Sequence, residues 1–172
     1  MLNADLDSKV LTRAKNTAYR FLSYRPRSSA ELEAKLRDKE FDEGIVRQVL
    51  TELGRLGYVN DRQFARQWTE GRVRLRGFGR RRIARELKAR GVDREIVENV
   101  FLEVFGEGTE LETAKQAVAK KRSMMKALDP ETRRRRLAGI LERKGFSFDI
   151  IRTVLKNMDR SDASFDRVET AP

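Results

Sequence analysis

Nine basic residues and one acidic residue, Glu86, lie between Arg72 and Arg90 of this 172-residue chain. Within that stretch Arg81, Arg85 and Lys88 are spaced by four and three residues, which places them on one face of a helix. The chemistry that such a face offers is the binding of an anionic surface. The whole chain has a net charge of +11, which favours a polyanionic partner or a complex that contains one.

Catalytic chemistry has few candidates. The chain has no histidine and no cysteine, so it lacks the usual general base, the commonest metal ligand and the thiol nucleophile. Gly77-Phe78-Gly79 has neither the third glycine nor the preceding strand of a dinucleotide fingerprint. Glu31 and Glu33 belong to a charged helix face, where solvation explains them. We therefore expect a protein that is not an enzyme and that has no cofactor and no metal ion.

The elements that carry the basic face come from a repeat. Three segments share eight apolar positions, related by offsets of 51 and 54 residues. The positions are Leu32, Leu36, Phe41, Ile45, Val46, Val49, Leu50 and Leu53; Ile83, Leu87, Val92, Ile96, Val97, Val100, Phe101 and Val104; and Leu137, Leu141, Phe146, Ile150, Ile151, Val154, Leu155 and Met158. A period of this length is typical of a supersecondary unit repeated along an array.

Each repeat has the signals of three helices. The N-terminal signals are Ser28 with Glu31, Asp42, Asn60 with Gln63, Asp93, Thr109 with Glu112, Asp129 before Pro130, and Ser147; Gly91 and Gly145 are C-terminal signals. Strand signals are absent. We expect an all-α fold of three tandem three-helix repeats in an elongated, curved array. The predicted boundaries are 1–58, 59–106 and 107–158, followed by a flexible tail at 159–172.

A comparison of the three copies distinguishes residues that all copies need for packing from residues that only one copy has. Three positions of each second helix lie opposite its apolar stripe. They are Ala30, Ala34 and Arg37 in the first copy, Arg81, Arg85 and Lys88 in the second, and Arg135, Gly139 and Glu142 in the third. Only the middle copy has a full basic stripe, so the architecture does not demand one. The alternative is that the stripe is only solvated, with Glu86 relieving the repulsion between its charges.

Two other groups of residues have structural interpretations. Phe64, Trp68 and Phe78 are aromatic residues at or near helical spacing, and such residues usually belong to the core. Arg133–Arg136 form a second basic block, in which Arg134 is expected to lie partly against the packed side.

The segment RELKARGVDREIVENV has the apolar residue, glycine-centred turn and apolar pair of a helix-turn-helix motif. In that motif the helix after the turn enters the DNA major groove. Here that helix carries Asp93, Glu95 and Glu98, whose carboxylates would repel phosphates. Base-specific DNA recognition is therefore not expected, and a phosphate contact through the basic stripe remains open.

The sequence resembles the RecX family of bacterial regulatory proteins. The matching segments are AYRFLSYRPRSSAELEAKL, VLTELGRLGYVNDRQFARQW, RGFGRRRIARELKARGVDREIV and RRRRLAGILERKGFSFDIIRTVL. The most specific part is Gly57-Tyr58-Val59-Asn60-Asp61 with Phe64-Ala65, in which Asn60 replaces the aspartate that is more usual there. The resemblance implies three tandem three-helix repeats. It also implies a protein that binds the RecA nucleoprotein filament along its groove and restrains filament growth, ATP hydrolysis and strand exchange.

These observations together predict a cytoplasmic monomer whose partners are the RecA filament and DNA, either directly or within the filament, with no membrane association. The residues expected to contact the filament are Arg72, Arg76, Arg81, Arg85 and Lys88. A stand-alone, non-specific DNA-binding protein is the main alternative, and a purely structural scaffold is a third.

Overall fold

The computed structural model describes residues 2–125 and 127–168, and within these ranges the backbone forms nine α-helices and no strand. The helices are α1 (Leu2–Tyr24), α2 (Ser29–Asp38), α3 (Glu43–Arg55), α4 (Asp61–Arg76), α5 (Arg80–Lys88), α6 (Arg94–Val104), α7 (Thr109–Ser123), α8 (Pro130–Lys144) and α9 (Phe148–Val168). Consecutive groups of three helices form the repeats. The predicted all-α fold of three three-helix repeats is confirmed.

Local capping chemistry explains where most of the helices begin. Ser28 and Glu31 form a complete capping box at α2. The Asn60 side chain accepts a hydrogen bond from the backbone N–H of Gln63 at 2.9 Å, and Asp129 caps α8 in front of Pro130. Helix α7 begins at Thr109 as predicted, but its N-cap is Gly108, which has a left-handed backbone and makes no side-chain hydrogen bond.

The repeated apolar positions form the core. All eight in each repeat are buried or half-buried. In the first repeat they pack against Ala14 and Ala18 of α1, and in the third against Ala114 and Val118 of α7. Burying one aliphatic side chain of this size contributes about 1.5–3 kcal/mol, so the periodic stripe supplies the main stabilisation of each repeat.

Contacts divide the chain into two compact units. The first contains the residues up to Trp68 together with Leu87–Val100, and the second contains Thr69–Glu86 together with the chain from Phe101 onward. The three helices of the middle repeat contribute to both units. No helix in the described part of the chain is long and apolar enough to cross a membrane.

Helix α9 extends beyond residue 158, the predicted end of the third repeat, to Val168. No glycine or proline interrupts the chain over that stretch. The flexible tail at 159–172 stays a prediction, and its residues 169–172 lie outside the described residues.

Within the first unit, residues of the second repeat close the N-terminus of α2. The Ser28 hydroxyl donates to the carbonyl of Arg90 at 2.5 Å. The backbone N–H of Ser29 donates to the carboxylate of Asp61 at 2.7 Å. A carboxylate at a helix N-terminus satisfies an N–H group that has no partner in the helix and opposes the positive end of the helix dipole. We call this set of contacts the first joint.

Within the second unit, the third repeat closes the N-terminus of α5 in the same way. The backbone N–H of Gly79, which is equivalent to Ser28, donates to the carbonyl of Lys144 at 2.9 Å. The backbone N–H of Arg80 donates to the carboxylate of Glu110 at 3.1 Å. These contacts form the second joint, and they show that one mode of packing is used twice.

A left-handed residue ends the second helix of every repeat. Glu40 has φ +58°, Gly91 +71° and Gly145 +85°. A side chain on Gly91 would overlap Ala30, and one on Gly145 would overlap Arg82. Glycine is therefore required at both joints. At the end of α2 the corresponding residue, Glu40, is exposed.

We predict that Gly145→Ala and Gly57→Ala will differ in their effect on stability. Gly57 also has a positive φ, +76°, but nothing lies within 4 Å of an added methyl group. Gly57→Ala should cost only the backbone strain, about 1 kcal/mol. Gly145→Ala should cost about 1–3 kcal/mol more, because its methyl group would displace the backbone of Arg82.

Urea unfolding followed by helical circular dichroism measures this difference, with Gly57→Ala as the control for the strain alone. Equal losses of unfolding free energy in the two variants would contradict the close approach at the second joint.

Candidate functional site

Helix α5 presents the basic stripe to solvent. Ile83 and Leu87 are fully buried on one side of the helix, and Arg81, Arg85 and Lys88 are exposed on the other. This is the orientation that the four- and three-residue spacing predicts. None of the three cations makes an ion pair within the described part of the chain, so their charges are available to a partner.

Arg72 is placed differently from the other predicted contact residues. Its Nε lies 2.7 Å from Oε2 of Glu86, and both side chains are half-buried. The second carboxylate oxygen of Glu86 lies 3.5 Å from Nε of Arg82. Glu86 therefore compensates Arg72 and Arg82 rather than the outward stripe.

Arg76 is exposed, as a partner contact requires. Its carbonyl accepts a hydrogen bond from Nζ of Lys144 at 2.5 Å, which ties the end of α4 to the end of α8. Burial, together with the nearby Arg82 guanidinium, lowers the pKa of Lys144 below its ordinary value.

Sequence reasoning missed Arg74. This residue is exposed near the end of α4 and makes no ion pair among the described residues. A signal was available, because Phe64, Trp68 and Arg72 are spaced by four residues and so share one face of α4. Since Phe64 is buried, the same spacing turns Arg72 inward and leaves Arg74 on the solvent side.

The remaining cations of the basic stretch have structural partners. Nε of Arg80 lies 3.0 Å from Glu110, and the Arg80 guanidinium also donates to the carbonyl of Phe105 at 3.0 Å. The guanidinium of Arg90 lies 3.7 Å from the centre of the Trp68 ring. Cations over aromatic faces are held by the ring quadrupole.

These contacts correct part of the expectation for the aromatic residues. Phe64 belongs to the core, but Trp68 and Phe78 are only half-buried. The guanidinium of Arg82 covers the Phe78 ring at 3.9 Å, as Arg90 covers Trp68. Each ring therefore packs against an arginine guanidinium, and the Trp68 ring also lies 5.8 Å from the ring of Phe64.

The second basic block also differs from expectation. Arg134, Arg135 and Arg136 are exposed, while Arg133 is half-buried. Arg133 lies four residues before the buried Leu137, and this spacing directs it to the packed side of α8.

Helix α6 is unsuited to the major groove. Asp93 caps it through a 2.8 Å hydrogen bond from the N–H of Glu95. Its exposed Arg94 is paired with Glu98 at 2.6 Å, and this hydrogen bond raises the pKa of Arg94. The described residues contain no group of three or more carboxylates that could hold a metal ion. The exposed cations of the site are chemically suited to binding anions.

We predict that Arg72→Met and Arg85→Met will affect stability differently. Removing Arg72 leaves the half-buried Glu86 with a weaker set of partners and should cost about 1 kcal/mol. Removing the exposed Arg85 should change the unfolding free energy by less than about 0.5 kcal/mol. If Arg85→Met raises the unfolding free energy, the increase should be largest at low salt, where the like charges of the stripe repel one another most.

Urea unfolding at two salt concentrations checks both values. If Arg85→Met lowers the unfolding free energy as much as Arg72→Met does, the division into paired and available cations is contradicted.

Comparison with known proteins matches all three repeats. Residues 14–53, 60–100 and 109–155 match the family models described as the first, second and third three-helix domains of RecX. A regulatory protein RecX of Streptomyces coelicolor is 38% identical over 134 residues, covering 78% of this chain and 71% of the relative. One of Mycolicibacterium vanbaalenii is 35% identical over 164 residues, covering 90% and 89%. The crystal structure of RecX from Lactobacillus salivarius superposes with a TM-score of 0.82 at 24% identity, covering 88% of this chain and 98% of that one.

Proposed function

The chain belongs to the RecX family of regulatory proteins, and on this premise we propose that it binds the RecA–DNA filament along its groove. Binding there modulates RecA, mainly by inhibiting filament growth, ATP hydrolysis and strand exchange. The proposal implies a cytoplasmic protein that acts in recombination and DNA repair as a monomer, without a cofactor.

The observation that carries this proposal is the set of exposed cations in the middle repeat. Arg74, Arg76, Arg81, Arg85 and Lys88 are exposed and make no ion pair within the described residues. Cations that contact phosphates release counterions, which drives association and makes it sensitive to salt. We propose these five as filament contacts. Arg72 contributes less to filament binding than the sequence analysis predicts, because it is paired with Glu86.

Repetition supports a polymeric partner. Three similar three-helix units in one chain can make several contacts with a target that itself repeats. Linked contacts strengthen one another through effective concentration, even where each is weak. A filament of identical protomers wound on DNA offers both the repeating surface and the phosphates that suit the middle repeat.

A stand-alone DNA-binding protein is the second candidate, and the same exposed cations favour it. Both functions predict binding that weakens with salt, so salt dependence does not separate them. A competition experiment does: labelled RecA filament is challenged with excess bare DNA at physiological salt. Full displacement of the protein from the filament by bare DNA would favour the second candidate.

We predict that combining Arg81→Glu, Arg85→Glu and Lys88→Glu will weaken filament binding at least about tenfold, because attraction to phosphates and acidic surfaces becomes repulsion. The variant should also lose its inhibition of RecA ATP hydrolysis on single-stranded DNA. Its helicity should be unchanged, since the three side chains are exposed.

The matched control combines Arg55→Glu, Arg135→Glu and Arg136→Glu. These arginines are also exposed, and the change in net charge is the same. Equal weakening by the control would show that binding follows net charge and not the middle repeat. Unchanged inhibition by the first variant would rule out the stripe as the contact.

A further inference from the structure

An apolar groove of about 570 Å³ lies within the second unit, at a distance in sequence from most of the basic stretch. It is formed by the end of α6, the turn between α6 and α7, and the first turns of α7 and α9. Its apolar lining comes from Leu102, Phe105, Leu111 and Ile150. Leu102 is 73% exposed although it belongs to a helix whose other face is in the core. Exposed large apolar side chains beside a groove are typical of protein-docking surfaces.

The charge of this groove is opposite to that of the protein. Glu107, Glu110 and Asp149 line it together with a single cation, Arg80. Arg80 is engaged by Glu110 at 3.0 Å. Glu107 is exposed and makes no ion pair among the described residues, and Asp149 has only a 3.8 Å contact with Arg152, in which both side chains are largely exposed. On a chain of net charge +11, this is a local reversal of sign.

The two surfaces cannot serve the same chemical partner. Carboxylates at the groove would repel phosphates, so DNA is the wrong occupant. Apolar lining with two available carboxylates at the edge suits an apolar anchor side chain flanked by lysine or arginine. Arg80, which lines the groove, is the residue before Arg81 at the start of α5.

We propose that this groove receives a basic peptide segment of the protein that coats the DNA, with an apolar side chain of that segment seated against Leu102. This inference rests on the proposed function, because it takes the coating protein to be RecA. The basic face then contacts phosphate or acidic surface, while the acidic groove contacts protein of opposite charge. Two surfaces of opposite sign confer specificity for a protein–DNA complex over bare DNA.

The test uses two double variants that raise the net charge equally. Glu107→Lys with Asp149→Asn alters the groove. Glu40→Lys with Asp38→Asn is the matched control, because Glu40 is exposed and Asp38, like Asp149, pairs with a base three residues away. Binding of the full chain is measured to RecA filaments on oligo-dT and to bare oligo-dT at the same salt.

The expected outcomes have opposite signs for the two targets. Both variants should bind bare oligo-dT at least as tightly as the wild type, since each gains positive charge. The groove variant should bind the filament about tenfold more weakly, while the control binds it as tightly as the wild type or more so. Filament binding by the groove variant that equals or exceeds that of the control would overturn the inference and leave the proposed function standing. A wild-type chain that does not prefer the filament to bare DNA would overturn both.

Leu102→Ala provides an uncharged second test. Leu102 is exposed, so folding should not depend on it, and filament binding should fall several-fold with no change on oligo-dT. Leu56→Ala, at another exposed leucine, is its control and should change neither. Unaltered filament binding by Leu102→Ala would show that Leu102 does not contact an apolar side chain of the partner, and it would overturn the inference. If the wild-type chain self-associates and the groove variant does not, the groove binds a second copy of the chain. That outcome would also overturn the inference.

Discussion

The closure of a helix N-terminus by the following repeat is the interaction on which the rest of the structure depends. At the start of α2 and of α5, one backbone N–H donates to a carboxylate of the next repeat. A second donor, the Ser28 hydroxyl at α2 and the Gly79 N–H at α5, reaches a backbone carbonyl of that repeat. Unsatisfied N–H groups in a packed helix end are costly. Each joint therefore ties two repeats together through backbone groups and one carboxylate, that of Asp61 at the first joint and that of Glu110 at the second.

The first and third repeats each differ from the joints at one helix end. The N-terminus of α8 is capped by Asp129, with Pro130 at the first position. At the end of α2, Glu40 takes the left-handed position that glycine takes at both joints, and it is exposed there. Glycine is therefore needed where a residue of another repeat lies against that position.

Packing also decides what the basic stretch can do. Arg80 is held in the second joint by Glu110, and Arg82 and Arg90 cover aromatic rings. These cations stabilise the fold, as does Arg72, which is paired with Glu86. The cations of the stretch that face solvent are Arg74, Arg76, Arg81, Arg85 and Lys88. Some cations of the basic stretch thus make contacts within the fold, and others stay exposed to solvent. The net charge of the segment does not reveal which residues belong to which group. The acidic groove is another example, since the net charge of +11 does not indicate that carboxylates gather at one place on the surface.

The sequence by itself determined the helices, most of their caps, the three repeats and the outward direction of Arg81, Arg85 and Lys88. All of these follow from local spacing, because the phase of a helix is set by which of its residues are apolar. Only the tertiary structure decided that Arg72 is paired and Arg74 is not, since the partner of Arg72 lies fourteen positions away on α5. Only it assembled the groove, whose lining runs from Arg80 to Ile150. Partners for long charged side chains come from elements that are distant in sequence, and no local periodicity records which of them will be near.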